Sequence, residues 1–112
     1  MESLRQSKVA KLLQKELAEL FRSRAREMFD GAFITVTIVR ISPDLSVARV
    51  YLSIMASKDK AVTLKLVQSQ SVLIRKHIGA IVKKQLRIVP TFTYFIDDSL
   101  DYAEKIDKLL KK

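Results

Sequence analysis

The sequence predicts a single α+β domain over residues 1–112: a three-stranded sheet with helices packed on one face, in the order α-β-β-α-α-β-α. Three observations predict it. Apolar residues recur at three-and-four spacing over the first quarter of the chain. Two β-branched runs then alternate on either side of a Pro-Asp turn, and an aromatic run alternates directly after Pro90. At 112 residues the chain is long enough to bury a core without disulfides, and it has no cysteine.

From Val9, the apolar positions Leu12, Leu13, Leu17, Leu20, Phe21, Ala25 and Met28 give one buried face to a helix from about Ser3 to Phe29. Asp30-Gly31 closes it, because glycine tolerates the left-handed backbone common just past a helix end. Phe33 to Ile41 reads as a strand, with Ile34, Val36 and Ile38 on one side and Thr35, Thr37 and Val39 on the other. Ser42-Pro43-Asp44-Leu45 supplies the turn.

The second strand, Ser46 to Ile54, places Ala48, Val50, Leu52 and Ile54 on one side. Arg49 and Tyr51 therefore point away from the covering helices. Ala61, Leu64, Val67, Ser71, Ile74, Ile78 and Ile81 then recur at helical spacing to about Lys84, which is long for one helix. The weak point is Val67 to Ser71, where the face turns polar and serines compete for backbone hydrogen bonds. Gly79 also lowers helix stability. Leu86 to Val89 must be extended before Pro90, and Thr91 to Ile96 forms the third strand. Asp97-Asp98-Ser99 opens a final helix carrying Leu100, Tyr102, Ile106, Leu109 and Leu110.

Charge directs the functional reading. The net charge is +9, yet residues 1–30 are nearly balanced. Between Lys60 and Ile96 there is no aspartate or glutamate, and this stretch holds most of the excess through Lys65, Arg75, Lys76, Lys83, Lys84 and Arg87. Such a surface suits a polyanion. Arg75, Lys76, Lys83, Lys84 and Arg87 are the principal candidate phosphate contacts. On an ideal helix of about 3.6 residues per turn, Lys8, Lys11, Lys15, Arg22 and Arg26 project within an arc of roughly 60°, a second basic stripe beside the apolar face. Arg49 is a further candidate, next to Tyr51, the one aromatic clearly on the open side of the sheet.

Catalytic equipment is sparse, and no enzyme, metal or cofactor is expected. His77 has no second histidine or cysteine to complete a triad or metal site. Gly31 and Gly79 are the only glycines, too few for a phosphate-cradling loop. Asp97-Asp98 could bind magnesium, but acids just before a helix are better explained as caps. The start Met1-Glu2-Ser3-Leu4-Arg5 lacks a secretory pattern and no run is long enough to span a membrane, so a cytoplasmic monomer is expected.

The order helix, strand, strand, helix, helix, strand resembles the type II KH fold, a small RNA-binding architecture. Four strings narrow the resemblance. They are Ser7-Lys8-Val9-Ala10 with Leu17 to Leu20; Ile41-Ser42-Pro43-Asp44-Leu45-Ser46-Val47-Ala48-Arg49-Val50-Tyr51-Leu52; Leu86-Arg87-Ile88-Val89-Pro90; and Phe95-Ile96-Asp97-Asp98-Ser99-Leu100. Together they resemble the ribosome-binding factor A family across essentially the whole chain.

That resemblance implies binding to the free small (30S) ribosomal subunit and its 16S rRNA, a part in late maturation of that RNA, and a role in growth in the cold. It also implies an interhelical kink, which the family usually marks by alanine, any residue and glycine. Here the corresponding region reads Gln68-Ser69-Gln70-Ser71, so either serine capping replaces glycine or the kink has moved toward Ile78-Gly79-Ala80. The alternative functional class is a basic module that meets acidic proteins or anionic membrane surfaces.

Overall fold

A computed structural model describes residues 3–55 and 59–97. The elements are α1 (Leu4–Ser23), α2 (Ala25–Met28), β1 (Phe33–Ile41), β2 (Val47–Met55), α3 (Lys60–Ser69), α4 (Ser71–Val82) and β3 (Thr91–Ile96). The final helix expected after Asp97 lies outside the described residues. The strands form one sheet in the order β1-β2-β3, with β1 antiparallel to β2 and β3 parallel to β2. A parallel neighbour needs a crossover, which α3 and α4 provide.

α1 begins with a reciprocal cap. The Ser3 hydroxyl accepts from the Gln6 backbone N–H at 3.1 Å, while the Gln6 side-chain oxygen accepts from the Ser3 N–H at 2.9 Å. The Gln6 amide then donates to the Ile41 carbonyl at 2.9 Å, a buried bond that ties the start of α1 to the end of β1. Val9, Leu13, Leu17, Leu20 and Phe21 form the buried face.

The first helix is not continuous to Phe29. It breaks at Arg24 (φ −110°, ψ 14°), and α2 follows as a separate short helix. At about 1.5 Å rise per residue, an unbroken helix would hold Phe21 and Phe29 roughly 12 Å apart along its axis. The break brings their rings to 4.9 Å and buries both. Asp30 (φ 53°) and Gly31 (φ 76°) then both take the left-handed backbone as the chain turns into β1.

β1 has the expected bounds but not the expected alternation. Val36 pairs with Leu52 and Ile38 with Tyr51, so Thr37 is an extra residue in a bulge. Beyond it the faces exchange: Val39 and Ile41 are buried, and Ile38 faces outward. The bulged Thr37 hydroxyl donates to the Asp97 carboxylate at 2.6 Å, fastening the end of β3 across the sheet. A similar one-step shift ends α4, where Val82 is buried and Ile81 is exposed. Of the other expected positions, Val67, Ile74 and Ile78 are fully buried, Leu64 and Ser71 are half-buried, and Ala61 is exposed.

The hairpin turn is held by Asp44, whose carboxylate accepts from the Ser42 hydroxyl (2.7 Å), the Ser46 hydroxyl (2.7 Å) and the Ser46 N–H (3.1 Å). Leu45 takes the left-handed backbone (φ 63°), and its half-buried side chain packs on the core. The Ser42 bond, then the Ser46 bonds, lower the Asp44 pKa from 3.8 to about 2. A lowered carboxylate pKa contributes stability above pH 3.8 that disappears as pH falls through about 2. Asp44→Ala is therefore expected to lower the urea midpoint at pH 6, with the difference from wild type shrinking steadily between pH 4 and pH 2. A pH-independent difference would mean that the carboxylate charge is not what holds the turn.

Candidate nucleic-acid interface

The acid-free segment folds into α3, α4, the connection 83–90 and β3. α3 is capped by the Asp59 carboxylate, which accepts from Ala61 N–H at 2.9 Å. The chain breaks at Gln70, inside the polar stretch where the sequence is weakest. No side chain caps the start of α4. Instead the Gln70 amide donates to the carbonyls of Leu66 and of Met28 at the end of α2, and the Ser69 hydroxyl donates to Leu66 O at 2.7 Å. The kink stays in place without glycine because a glutamine bridges it to α2.

All eleven candidate cations are exposed. Burial of Ile74, Ile78 and Val82 fixes how α4 is turned, and Lys76 and Lys83 project from its opposite side. Lys84 and Arg87 follow on the connection. Arg75 is engaged within the fold. Its guanidinium donates to the carbonyls of Pro90 (3.1 Å) and Val89 (2.8 Å), clamping the connection against α4. Gly79 lies beside the same connection, where an added Cβ would stand 3.4 Å from a Val89 methyl, an ordinary contact. Gly79→Ala is expected to raise stability by up to about 1 kcal/mol, the helical cost of glycine, in chemical denaturation. A loss would show that Val89 cannot accommodate the methyl.

On α1 the basic stripe runs along Lys8, Lys11, Lys15 and Arg22. It lies not beside the apolar face but roughly 180° from it, on the outer surface. Arg26 stands on α2, beyond the break at Arg24, and so is not on the same helix as the stripe. Arg22 pairs with Glu19, whose hydrogen bond and charge raise the guanidinium pKa. α1 packs mainly over β1, and α3 and α4 over β3, all on the face where Ile34, Val50 and Phe92 are buried. The outer surfaces of α1 and α4 therefore look the same way. Arg49 is separate from them, exposed on the side of the sheet that the described helices do not cover.

A groove of about 840 Å³ lies at the hairpin end of the molecule. Its walls are the first turns of α1, the Pro43–Leu45 turn and residues 85–88, and its cations are Arg5, Lys8 and Arg87. Leu4 and Ile88, 72% and 61% exposed, give it an apolar rim. Lys8 and Arg87, distant in sequence, thus meet at one site, and sequence reading missed their neighbour Arg5.

A family model described as Ribosome-binding factor A matches residues 5–110. The chain belongs to the ribosome-binding factor A family. It is similar to ribosome-binding factor A of Cytophaga hutchinsonii, 46% identical over 112 residues, covering 100% of this chain and 84% of the relative. The protein of that name from Flavobacterium johnsoniae is 41% identical over 111 residues, covering 98% and 85%.

The crystal structure of ribosome-binding factor A from Thermus thermophilus superposes with a TM-score of 0.67 at 21% identity, covering 81% of this chain and 94% of that one. A Thermus thermophilus homology model fitted into the cryo-electron-microscopy map of a 30S complex gives 0.62 at 22%, covering 80% and 91%. These likenesses establish the fold, α+β and consistent with the KH-like expectation.

The described residues bring no three histidine, cysteine or acidic side chains together as a metal site. Asp97 is engaged by Thr37, and Asp98 lies outside the described residues. His77 is exposed on α4. No helix among the described residues is long and apolar enough to cross a membrane.

Proposed function

We propose that this protein binds the free small ribosomal subunit through the outer surfaces of α4 and α1, contacts its 16S rRNA, and assists the late maturation of that RNA, with its greatest importance in the cold. It acts as a cytoplasmic monomer that stabilises one RNA conformation by binding energy and makes or breaks no covalent bond. The observation that carries the reading is the acid-free run from Lys60 to Ile96, folded so that Lys76 and Lys83 look the same way as Lys8, Lys11 and Lys15. Membership of the ribosome-binding factor A family supports the choice of partner.

Phosphate contacts by lysine fix position without reading sequence, so recognition rests on the shape of the folded RNA. Arg75 contributes mainly by holding Arg87 and the 83–90 connection in place. Sedimentation with purified small subunits at moderate salt tests the proposal. Co-migration saturating at one copy per subunit is the expected result. Absence of co-migration, or equal retention by anionic vesicles, would contradict it.

A further inference from the structure

Among the described residues the helices leave one face of the sheet uncovered, and its outward positions have a distinct composition. Ile38, Tyr51 and Phe95 are register partners across all three strands and form one continuous rung. The Tyr51 and Phe95 rings stack at 5.4 Å with 26° between their planes, and Phe95 is 38% exposed at the sheet edge. Two residues along each strand, on the same face, Arg40 and Arg49 are also register partners. The strand rise sets this rung roughly 6.6–7 Å from the aromatic one.

No outward position within the three described strands is acidic; the acid just beyond β3, Asp97, holds the Thr37 hydroxyl. Among the described residues the Arg49 side chain makes no hydrogen bond or ion pair.

We propose that this open face is a second RNA site, in which an unpaired base stacks on the Tyr51–Phe95 pair while the adjoining phosphate lies on Arg49. The site deepens the RNA-binding reading above and rests on it, but it takes a different ligand: single-stranded RNA, where the helical surface takes folded RNA. The chemistry is matched on both counts. An aromatic face accepts any base, and a cation within one nucleotide's reach neutralises the backbone. Folded A-form RNA would satisfy only the cation, because its bases are stacked on each other. An acidic protein would likewise pair with Arg49 but leave the rings without a partner. The side chains involved come from β2 and β3, so the central and edge strands hold them in fixed relation.

The test uses the full chain and an oligouridine of about eight nucleotides, within the site size of known single-strand binders, carrying one photoreactive 4-thiouridine. Crosslinks to Tyr51 or Phe95 are the expected result. Tyr51→Leu combined with Phe95→Leu, which keeps apolar strand residues, is expected to weaken oligonucleotide binding about tenfold or more, as loss of base stacking would. A variant with Lys76, Lys83 and Lys84 changed to glutamine is expected to keep the same crosslinks.

Crosslinks confined to α1 and α4 would overturn the open-face site and leave the subunit-binding proposal standing, as would tight subunit binding without any oligonucleotide binding. Failure to bind either subunits or oligonucleotide would defeat both. Should the leucine variant unfold, the crosslink map of the unmodified protein decides alone. Protection of this face by residues 98–112 or by a second copy, seen as intramolecular or intermolecular protein crosslinks unaffected by the oligonucleotide, would also overturn it.

Discussion

Replacing Lys76, Lys83 and Lys84 together with glutamate is expected to weaken binding to the small ribosomal subunit by about a hundredfold or more at moderate salt. The same change at Lys108, Lys111 and Lys112 alters net charge identically and is expected to cost far less. Lys76 and Lys83 stand on the side of α4 opposite Ile74, Ile78 and Val82, so their replacement touches no core contact. On the proposed interface each lysine lost would remove a phosphate contact, and each glutamate would add repulsion. Titration of labelled protein with subunits measures the difference. Equal losses from the two triple variants would mean that overall charge, and not a surface, drives association.

The largest stability effect is expected at Phe21. Its ring is almost wholly buried, 4.9 Å from Phe29 and edge-on to Tyr94 at 6.5 Å, so one side chain joins α1, the end of α2 and β3. Phe21→Ala is expected to cost about 3–5 kcal/mol, a large share of the roughly 5–15 kcal/mol available to a typical domain. The urea unfolding midpoint should fall accordingly, and subunit binding should fail through unfolding. A loss below about 1 kcal/mol would show that α2 and Phe29 rearrange to fill the space.

Both predictions use features with different histories in the sequence. The extent of β1, the inward residues of β2 and the break near Gln70 could be read directly, because period and polarity change together there. The bulge at Thr37 could not. Phe33, Ile38 and Val39 make both sides of β1 apolar, so inserting one residue exchanges the faces without a visible break in the pattern. The break at Arg24 was equally hidden, since neither glycine nor proline marks it; packing of Phe29 onto Phe21 decides it.

The candidate site divides in the same way. The acid-free run was plain in the sequence, and the structure turns Lys76 and Lys83 outward. Arg75 was read as a phosphate ligand because its two carbonyl partners, Val89 and Pro90, are fourteen and fifteen residues away. The groove of Arg5, Lys8 and Arg87 depends on three segments meeting, and so do the Tyr51–Phe95 stack and the Gln70 bridge to Met28. Such long-range meetings leave no trace in local spacing.

The proposed interface sets defined lysines on the helical side against phosphates of the small subunit. The salt dependence of subunit affinity tests this most directly, comparing the unmodified protein with a variant carrying Lys76→Gln, Lys83→Gln and Lys84→Gln. Three lost contacts predict that the slope of log affinity against log salt becomes shallower by about 2–3. An unchanged slope with unchanged affinity would show that these lysines do not meet the RNA.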